Sequence, residues 1–155
     1  MLVGERDVGM TTKRTDAQKW NVSADDYGRS LAGLTLNLLV RDIAKSLPFY
    51  IDVLQFRDVH HDADFAALER EAIKLTLHAD HTYAAQPWAQ RLSRGGKRGL
   101  GAEIRILGIA PEAAEKRARD RGYTVLFGTK EWPHGWRDCI LEDPDGYTFA
   151  VGVPK

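Results

Sequence analysis

This chain of 155 residues lacks several features that mark membrane, nucleic-acid-binding and disulfide-stabilised proteins. Its single cysteine, Cys139, excludes an internal disulfide and a cysteine metal cluster. Its 22 Lys and Arg residues balance 22 Asp and Glu residues, so it has no positive excess to attract nucleic acid or an anionic membrane. No apolar run approaches the ~20 residues of a membrane span. Residues 1–16 lack the apolar core of a secretory signal. We therefore expect a cytoplasmic protein.

The order of the predicted strands and helices indicates one domain made of a repeated unit. The element order is β-α-β-β-β in residues 34–78 and again in 102–153, with a connector over 79–101. One such unit is too small to bury a stable core alone, so the two are expected to pair. Alternating apolar residues predict strands over 34–40, 56–60, 64–69, 72–78, 102–108, 123–127, 136–141 and 147–153.

Helical spacing predicts a helix from Asp42 to about Leu54. Pro48 marks either a kink or a later start near Ser46. A second helix is predicted to begin at Pro111 and to end at Gly122.

The connector is predicted to hold a short helix over 86–93 and a flexible, solvated basic linker over 94–99. Asp143-Pro-Asp-Gly146 is a strong turn signal between the last two strands.

The first 33 residues are predicted to lie outside this repeat. Residues 1–19 are polar and aperiodic, which favours a flexible tail. In the arm over 20–33, Ser23 and the acidic residues after it favour the start of a short helix. Two interpretations of this arm stay open. Either Trp20, Tyr27 and Leu31 pin it onto the body, or it is loosely attached.

Side chains alternate between the two faces of each strand, and one face is apolar in all four of the best-defined strands. The apolar face, which begins at Leu34, is expected to pack on the helices. The other face is largely polar and is either solvent-exposed or the wall of a cavity. Its members are Thr35, Asn37, Leu39, Lys74, Thr76, His78, Glu103, Arg105, Leu107, Thr148, Ala150 and Gly152.

Two segments resemble a known family. Val40–Phe56, VRDIAKSLPFYIDVLQF, resembles the first unit of the vicinal-oxygen-chelate superfamily, which includes glyoxalase I, bleomycin-resistance proteins and extradiol dioxygenases. Trp136–Phe149, WRDCILEDPDGYTF, is similar to its closing hairpin. The resemblance runs from about Leu34 to Val153. It implies an α+β fold, in which two β-α-β-β-β units form curved mixed sheets around a cavity, and a homodimer that binds a small molecule.

The family's four metal-ligand positions fall, by this resemblance, on Thr35, Lys74, Glu103 and Ala150. Only Glu103 is a usual ligand for a divalent ion. We therefore predict a metal-free cavity without a cofactor, in which Lys74 and Glu103 form an ion pair. The remaining residues predicted to bind the ligand are Asn37, Thr76, His78, Arg105, Trp136 and Thr148. Trp88, Trp132, Trp136 and Tyr147 either wall the pocket or serve hairpin packing and dimer contact.

Two alternatives stay open. His78, His81 and Glu103 would suit a displaced metal site of a lyase or dioxygenase, and His78 would suit a general acid or base. If the polar face is simply exposed to solvent, the chain is a non-catalytic structural or regulatory module. Cys139, in mid-strand, is predicted to be buried and inert.

Overall fold

The computed structural model describes residues 20–155, apart from the side chains of Ser93 and Arg94, and the predicted tail over 1–19 lies outside this range. The strands are β1 Leu36–Val40, β2 Arg57–His61, β3 Phe65–Arg70, β4 Ile73–Ala79, β5 Ile104–Leu107, β6 Thr124–Glu131, β7 Trp136–Glu142 and β8 Thr148–Pro154. They form two four-stranded sheets, ordered β1-β4-β3-β2 and β5-β8-β7-β6. β1 pairs in parallel with β4, and β5 with β8, while the other neighbours are antiparallel. The predicted α+β class and the repeated unit are confirmed.

The helices begin where the side-chain caps predict. In α1, Ala24–Ser30, the Ser23 hydroxyl accepts the Asp26 N–H. In α2, Ile43–Pro48, the Asp42 carboxylate accepts the Lys45 N–H. α3 spans Pro111–Asp120 and ends before Gly122, as predicted. Among residues 20–155, no helix has the length and apolar character needed to cross a membrane.

Pro48 changes the helix type and does not start the helix. The later start near Ser46 is wrong, because Asp42 caps α2 at Ile43. A proline has no N–H to donate, and its ring crowds the carbonyl four residues earlier. Beyond Pro48 the chain continues as a wider π-helical turn over Phe49–Val53.

Some predicted bounds are wrong by a few residues. Leu34 was expected to open the first strand on the apolar face, yet it lies before β1 and is 97% exposed. Pairing with β4 begins only at Leu36, opposite Leu75. In the second unit, β6 extends to Glu131, well beyond the predicted end at Phe127, and its pairing with β7 contains register shifts. In the connector, a 3-10 turn at Asp80–Tyr83 was not predicted, and the short helix is a 3-10 helix at Ala89–Arg94.

One buried core joins the two units of the chain. Phe49 and Tyr50, on the π turn of the first unit, pack against Phe149 of β8, with ring centroids 5.6 and 5.7 Å apart. Phe49 also meets Tyr123 of the second unit edge-on at 5.2 Å. All three of Phe49, Tyr50 and Phe149 are fully buried. The expected pairing of the units therefore takes place within the chain, where aromatic rings of the π turn pack against Phe149 and Tyr123 of the second unit.

The Asp143–Gly146 turn is a second, polar link between the units. Asp143 Oδ1 accepts the backbone N–H groups of Asp145 and Tyr147 at 3.0 and 2.8 Å, and these two bonds shape the turn. Its other oxygen accepts the hydroxyl proton of buried Tyr50 at 2.7 Å. A Cβ at Gly146, where φ is +91°, would lie 2.7 Å from the Lys97 Cβ, so this position requires glycine.

Asp145 extends the link to the start of α2. Its Oδ1 accepts the backbone N–H and Nη1 of Arg41, each at 3.0 Å. Its Oδ2 accepts the hydroxyl of buried Ser46 at 3.1 Å. Both aspartates of the turn are buried, so their oxygens need these donors from the other unit.

The prediction of a solvated linker over 94–99 is wrong at Arg98. This residue is 4% exposed, and its two terminal nitrogens donate to the Asp80 carboxylate at 2.7 and 2.6 Å. Nη1 also donates to the Leu39 carbonyl at 2.7 Å and lies 3.6 Å from Asp145. A basic residue between glycines resembles a solvated linker in sequence, and only the fold brings carboxylates to it.

Two substitutions of Asp143 are expected to distinguish the effect of its charge on stability from the effect of its hydrogen bonds. Burial raises the pKa of this carboxyl above its ordinary 3.8. A raised folded pKa makes the free energy of unfolding greatest at acid pH and lowers it as the pH rises through the folded pKa. Relative to wild type, Asp143→Asn should therefore gain stability as the pH rises above 3.8, the ordinary pKa of this carboxyl. Asp143→Ala, which loses all three bonds, should be less stable by about 2–4 kcal/mol throughout.

Urea unfolding at a series of pH values measures both effects. Asp120→Asn, at an exposed carboxylate of α3, controls for the loss of one negative charge. A pH-independent difference between wild type and Asp143→Asn would contradict the buried-charge explanation.

Arg98→Ala should lower the free energy of unfolding by about 3 kcal/mol, since it removes a buried partner of two carboxylates. Arg41→Ala is the matched comparison, because that side chain is 43% exposed and its backbone N–H would still reach Asp145. It should cost about 1 kcal/mol or less. Equal losses for the two variants, in the same urea titration, would show that burial of Arg98 adds nothing.

Candidate functional site

A hydrogen-bond network centred on Asn37 occupies the polar face of the first sheet. Asn37 Oδ1 accepts the Thr76 hydroxyl at 3.1 Å and lies 2.6 Å from His78 Nδ1. Asn37 Nδ2 donates to the Tyr83 hydroxyl at 3.0 Å. Because Oδ1 is only an acceptor, this arrangement places the proton of a neutral His78 on Nδ1 and the lone pair on Nε2. Three predicted ligand-binding residues, Asn37, Thr76 and His78, are thus in contact.

Aromatic rings surround this network. His78 lies between Phe65 and Tyr83, with ring centroids 4.8 and 5.1 Å away. Tyr83 in turn meets the half-exposed Trp88 at 5.7 Å. Of these neighbours, only Trp88 was predicted to be a wall residue. Phe65 and Tyr83 were missed, although Phe65 is placed opposite His78 once the β3–β4 register is known.

The N-terminal arm lies over the same face. Trp20 stacks on His60 with a centroid distance of 4.8 Å and an interplanar angle of 6°. Tyr27, on α1, meets Phe65 edge-on at 6.1 Å. Lys74 Nζ donates to the carbonyl and the hydroxyl of Ser30, each at 3.1 Å. Of the two interpretations of the arm, the structure therefore shows the attached one, and the polar face of the first sheet is partly covered.

The predicted Lys74–Glu103 ion pair is wrong within this chain. Lys74 Nζ instead donates to the Ser30 carbonyl, and Glu69 Oε1 lies 3.9 Å from it. Glu103 lies at the start of the other sheet, where its nearest cation is Arg105 at 3.7 Å. Such a pair would require the polar faces of the two sheets to lie against each other. In the chain, the helices of the two units are joined in one apolar core, and each sheet keeps its own polar residues.

The polar face of the second sheet has a different character. Asp138 accepts the Trp132 indole N–H at 2.7 Å and faces Arg105 Nη2 at 3.4 Å. Asp138 is 6% exposed, and sequence reasoning missed it because the prediction considered only one strand of this hairpin. Predicted ligand residues on this face are Arg105, Trp136, Thr148 and Ala150.

Apolar side chains stand beside this polar pair. Leu107, Leu126 and Phe127 are each more than two-fifths exposed. Phe127 contacts Trp132 at 5.7 Å, and the Lys130 ammonium lies 4.7 Å from the Trp132 ring. Such an exposed apolar group next to a polar centre is typical of a contact surface.

The four positions that carry the family's metal do not suit a divalent ion here. Thr35 is exposed before β1, and Lys74 supplies a cation. Ala150 is buried in β8 and has no donor atom. Glu103 is the remaining candidate, half-exposed beside Arg105. One carboxylate beside cations does not make a site that needs several oxygen or imidazole ligands.

The displaced metal site is likewise not assembled. His78 is bonded to Asn37, and His81 Nε2 contacts the buried Asp64 carboxylate at 2.6 Å. Within residues 20–155, no group of three or more His, Cys, Asp or Glu side chains is arranged to hold a metal ion. His78, His81 and Glu103 therefore do not converge in this chain.

Two other predicted residues are explained by packing. Cys139 is free and fully buried, so its predicted burial is confirmed, and burial raises its pKa to about 12, which disfavours the reactive thiolate. Tyr147 does not wall a pocket on either polar face. Its hydroxyl donates to the Leu39 carbonyl at 2.9 Å and adds to the link between the units.

Comparison with solved structures finds the same fold. A glyoxalase/bleomycin resistance protein/dioxygenase family enzyme from Burkholderia phytofirmans PsJN is 21% identical, with a TM-score of 0.65 over 80% of this chain and 100% of its own. A glyoxalase/bleomycin resistance protein/dioxygenase from Nocardioides is 19% identical, with a TM-score of 0.62 over 81% of this chain and 85% of its own. Identities this low show the fold alone.

Comparison with curated protein sequences found no match. The family model for the Glyoxalase/Bleomycin resistance protein/Dioxygenase superfamily matches residues 34–151, from just before β1 into β8. Residues 20–33, which form the arm, lie outside the match. The two sheets with their repeated strand order, the TM-scores and this match agree with the resemblance, and the chain belongs to the glyoxalase/bleomycin resistance protein/dioxygenase superfamily.

Proposed function

We propose that this protein binds a small organic molecule on the polar face of its first sheet, at the Asn37 network, without a metal ion. The observation that carries the proposal is the combination of a connected polar centre, Asn37 with Thr76 and His78, and the aromatic rings around it. Small-molecule sites commonly combine apolar and aromatic walls with a few placed polar groups. The absence of a usual ligand set at the family's metal positions favours binding over metal-dependent lyase or dioxygenase chemistry.

The first face supports this proposal better than the second does. Its polar groups are held by one another, so the network is organised before a ligand arrives, which lowers the entropic cost of binding. Thr76 is 8% exposed, and Ala67, opposite it on β3, is fully buried. These exposures argue against the plain wet face expected of a structural module.

The network also restricts the charge of the ligand. The neutral partners Asn37, Thr76 and Tyr83 favour an uncharged ligand, because burying a charge there would need a counter-ion. We therefore propose a neutral aromatic compound as the ligand.

Substitutions on the two faces test where the ligand binds. A thermal-shift screen of neutral aromatic compounds should yield a binder, and calorimetry should measure its Kd. Asn37→Ala should weaken that Kd by about tenfold, or about 1.4 kcal/mol, because it removes the centre of the network. Arg105→Ala, a matched change on the second face, should leave the Kd within about twofold. The reverse pattern, or a screen without a binder, would contradict this site.

We also propose that the protein is a homodimer, as the resemblance implied. The support is the exposed apolar group on the second sheet, which includes Leu107 and Phe127. A second copy of the chain would remove this surface from water. A cytoplasmic location is proposed as well, because the chain has a single cysteine, which is free, and so holds no internal disulfide.

Two leucine substitutions test the dimer. Leu107→Asp places a charge within the proposed contact, whereas Leu34→Asp alters a leucine that is exposed outside the sheets. Light scattering coupled to gel filtration should give twice the chain mass for wild type and Leu34→Asp, and the single-chain mass for Leu107→Asp. A monomeric wild type, or equal masses for both variants, would exclude this interface.

A further inference from the structure

The arm that covers the first sheet presents Trp20 in the way a planar ligand would lie. The Trp20 indole is nearly parallel to the His60 imidazole, with an interplanar angle of 6° and a centroid distance of 4.8 Å. It also contacts Phe65 at 6.0 Å, and Phe65 is the ring that borders His78. The place that Trp20 occupies is therefore continuous with the site proposed above.

The arm is held to the sheet by few strong interactions. None of the seven residues of α1 is buried. Lys74 binds it through a carbonyl and a hydroxyl of Ser30, which are neutral acceptors. The Tyr27 hydroxyl is buried against the body, yet it has no hydrogen-bond partner among the described residues. A buried hydroxyl without a partner weakens the closed arrangement.

Two features of the arm suit movement as one piece. α1 has its own cap at Ser23 and its own ion pairs from Arg29 to Asp25 and Asp26, so contacts within the arm support its helical shape. Gly33, at a φ of +65°, lies between α1 and β1. Glycine is permissive at such an angle, which makes this position a suitable hinge.

From these observations we propose that residues 20–31 form a lid, and that Trp20 acts as a built-in competitor for a planar bicyclic aromatic ligand. The proposal rests on the proposed function and names its ligand class. A ligand that stacks on His60 and Phe65 replaces the Trp20 indole, and the arm opens by rotation near Gly33. The free protein is then closed on itself, and ligand binding is opposed by the free energy of the Trp20 contact.

Indole is the probe, because it is the ring system of the Trp20 side chain that the ligand would replace. Titration calorimetry should show that Trp20→Ala binds indole at one site and at least tenfold more tightly than wild type does. Adding His60→Ala to Trp20→Ala should remove most of that gain, since the stacking surface is lost. Trp132→Ala is the matched control, as it removes an indole from the second sheet, away from His60 and the Asn37 network, and its affinity should equal that of wild type.

Hydrogen exchange on the wild-type protein gives a second measurement that needs no substitution. Saturating indole should speed amide exchange in residues 24–31 while β3 and β4 keep their protection. Unchanged or slower exchange in the arm would overturn the lid.

The outcomes separate the two proposals. Equal indole affinity in wild type and Trp20→Ala would overturn the lid and leave the Asn37 site intact. No indole binding to Trp20→Ala would overturn the competitor role and the bicyclic ligand class. The Asn37 site is judged independently, by the compound screen and the Asn37→Ala and Arg105→Ala variants.

Discussion

The buried turn at Asp143–Gly146 is the constraint on which the rest of the structure depends. Its two carboxylates lie in the interior, where water cannot solvate them, so each needs donors from another part of the chain. Tyr50, Ser46 and Arg41 supply those donors from the first unit. The same contacts hold the π turn against β8, which places Phe49 and Tyr50 in the shared core. The polar link thus orients the units that the apolar core holds together.

This mode of pairing decides what the polar faces can do. With the helices of both units in one core, each sheet presents its polar residues separately, and Lys74 and Glu103 contact other residues instead of each other. The first face is covered by an arm that lies outside the family match, and the second leaves Leu107 and Phe127 exposed. The two faces therefore support different proposals, a ligand site under a lid and a contact surface for a second copy.

Much of the fold was predictable because it depends on local patterns. Strand alternation, the cap at Asp42 and the Pro111–Gly122 helix are properties of adjacent residues, and they were predicted within a few positions. The candidate site was predictable only in part. Asn37, Thr76 and His78 follow from strand parity, whereas Phe65 enters the site through the β3–β4 register and Tyr83 through an unpredicted 3-10 turn. Arg98 was misjudged, since its carboxylate partners are distant in sequence.

The sequence by itself determined the repeated β-α-β-β-β unit and the polar and apolar faces of its strands. These properties follow from the order and chemistry of residues along one strand or helix. Only the tertiary structure decided which faces meet, which charges pair and where the arm lies. Those outcomes depend on contacts between residues far apart in the chain. A buried group takes whichever partner the packing brings within hydrogen-bond distance, and the local sequence does not specify that partner.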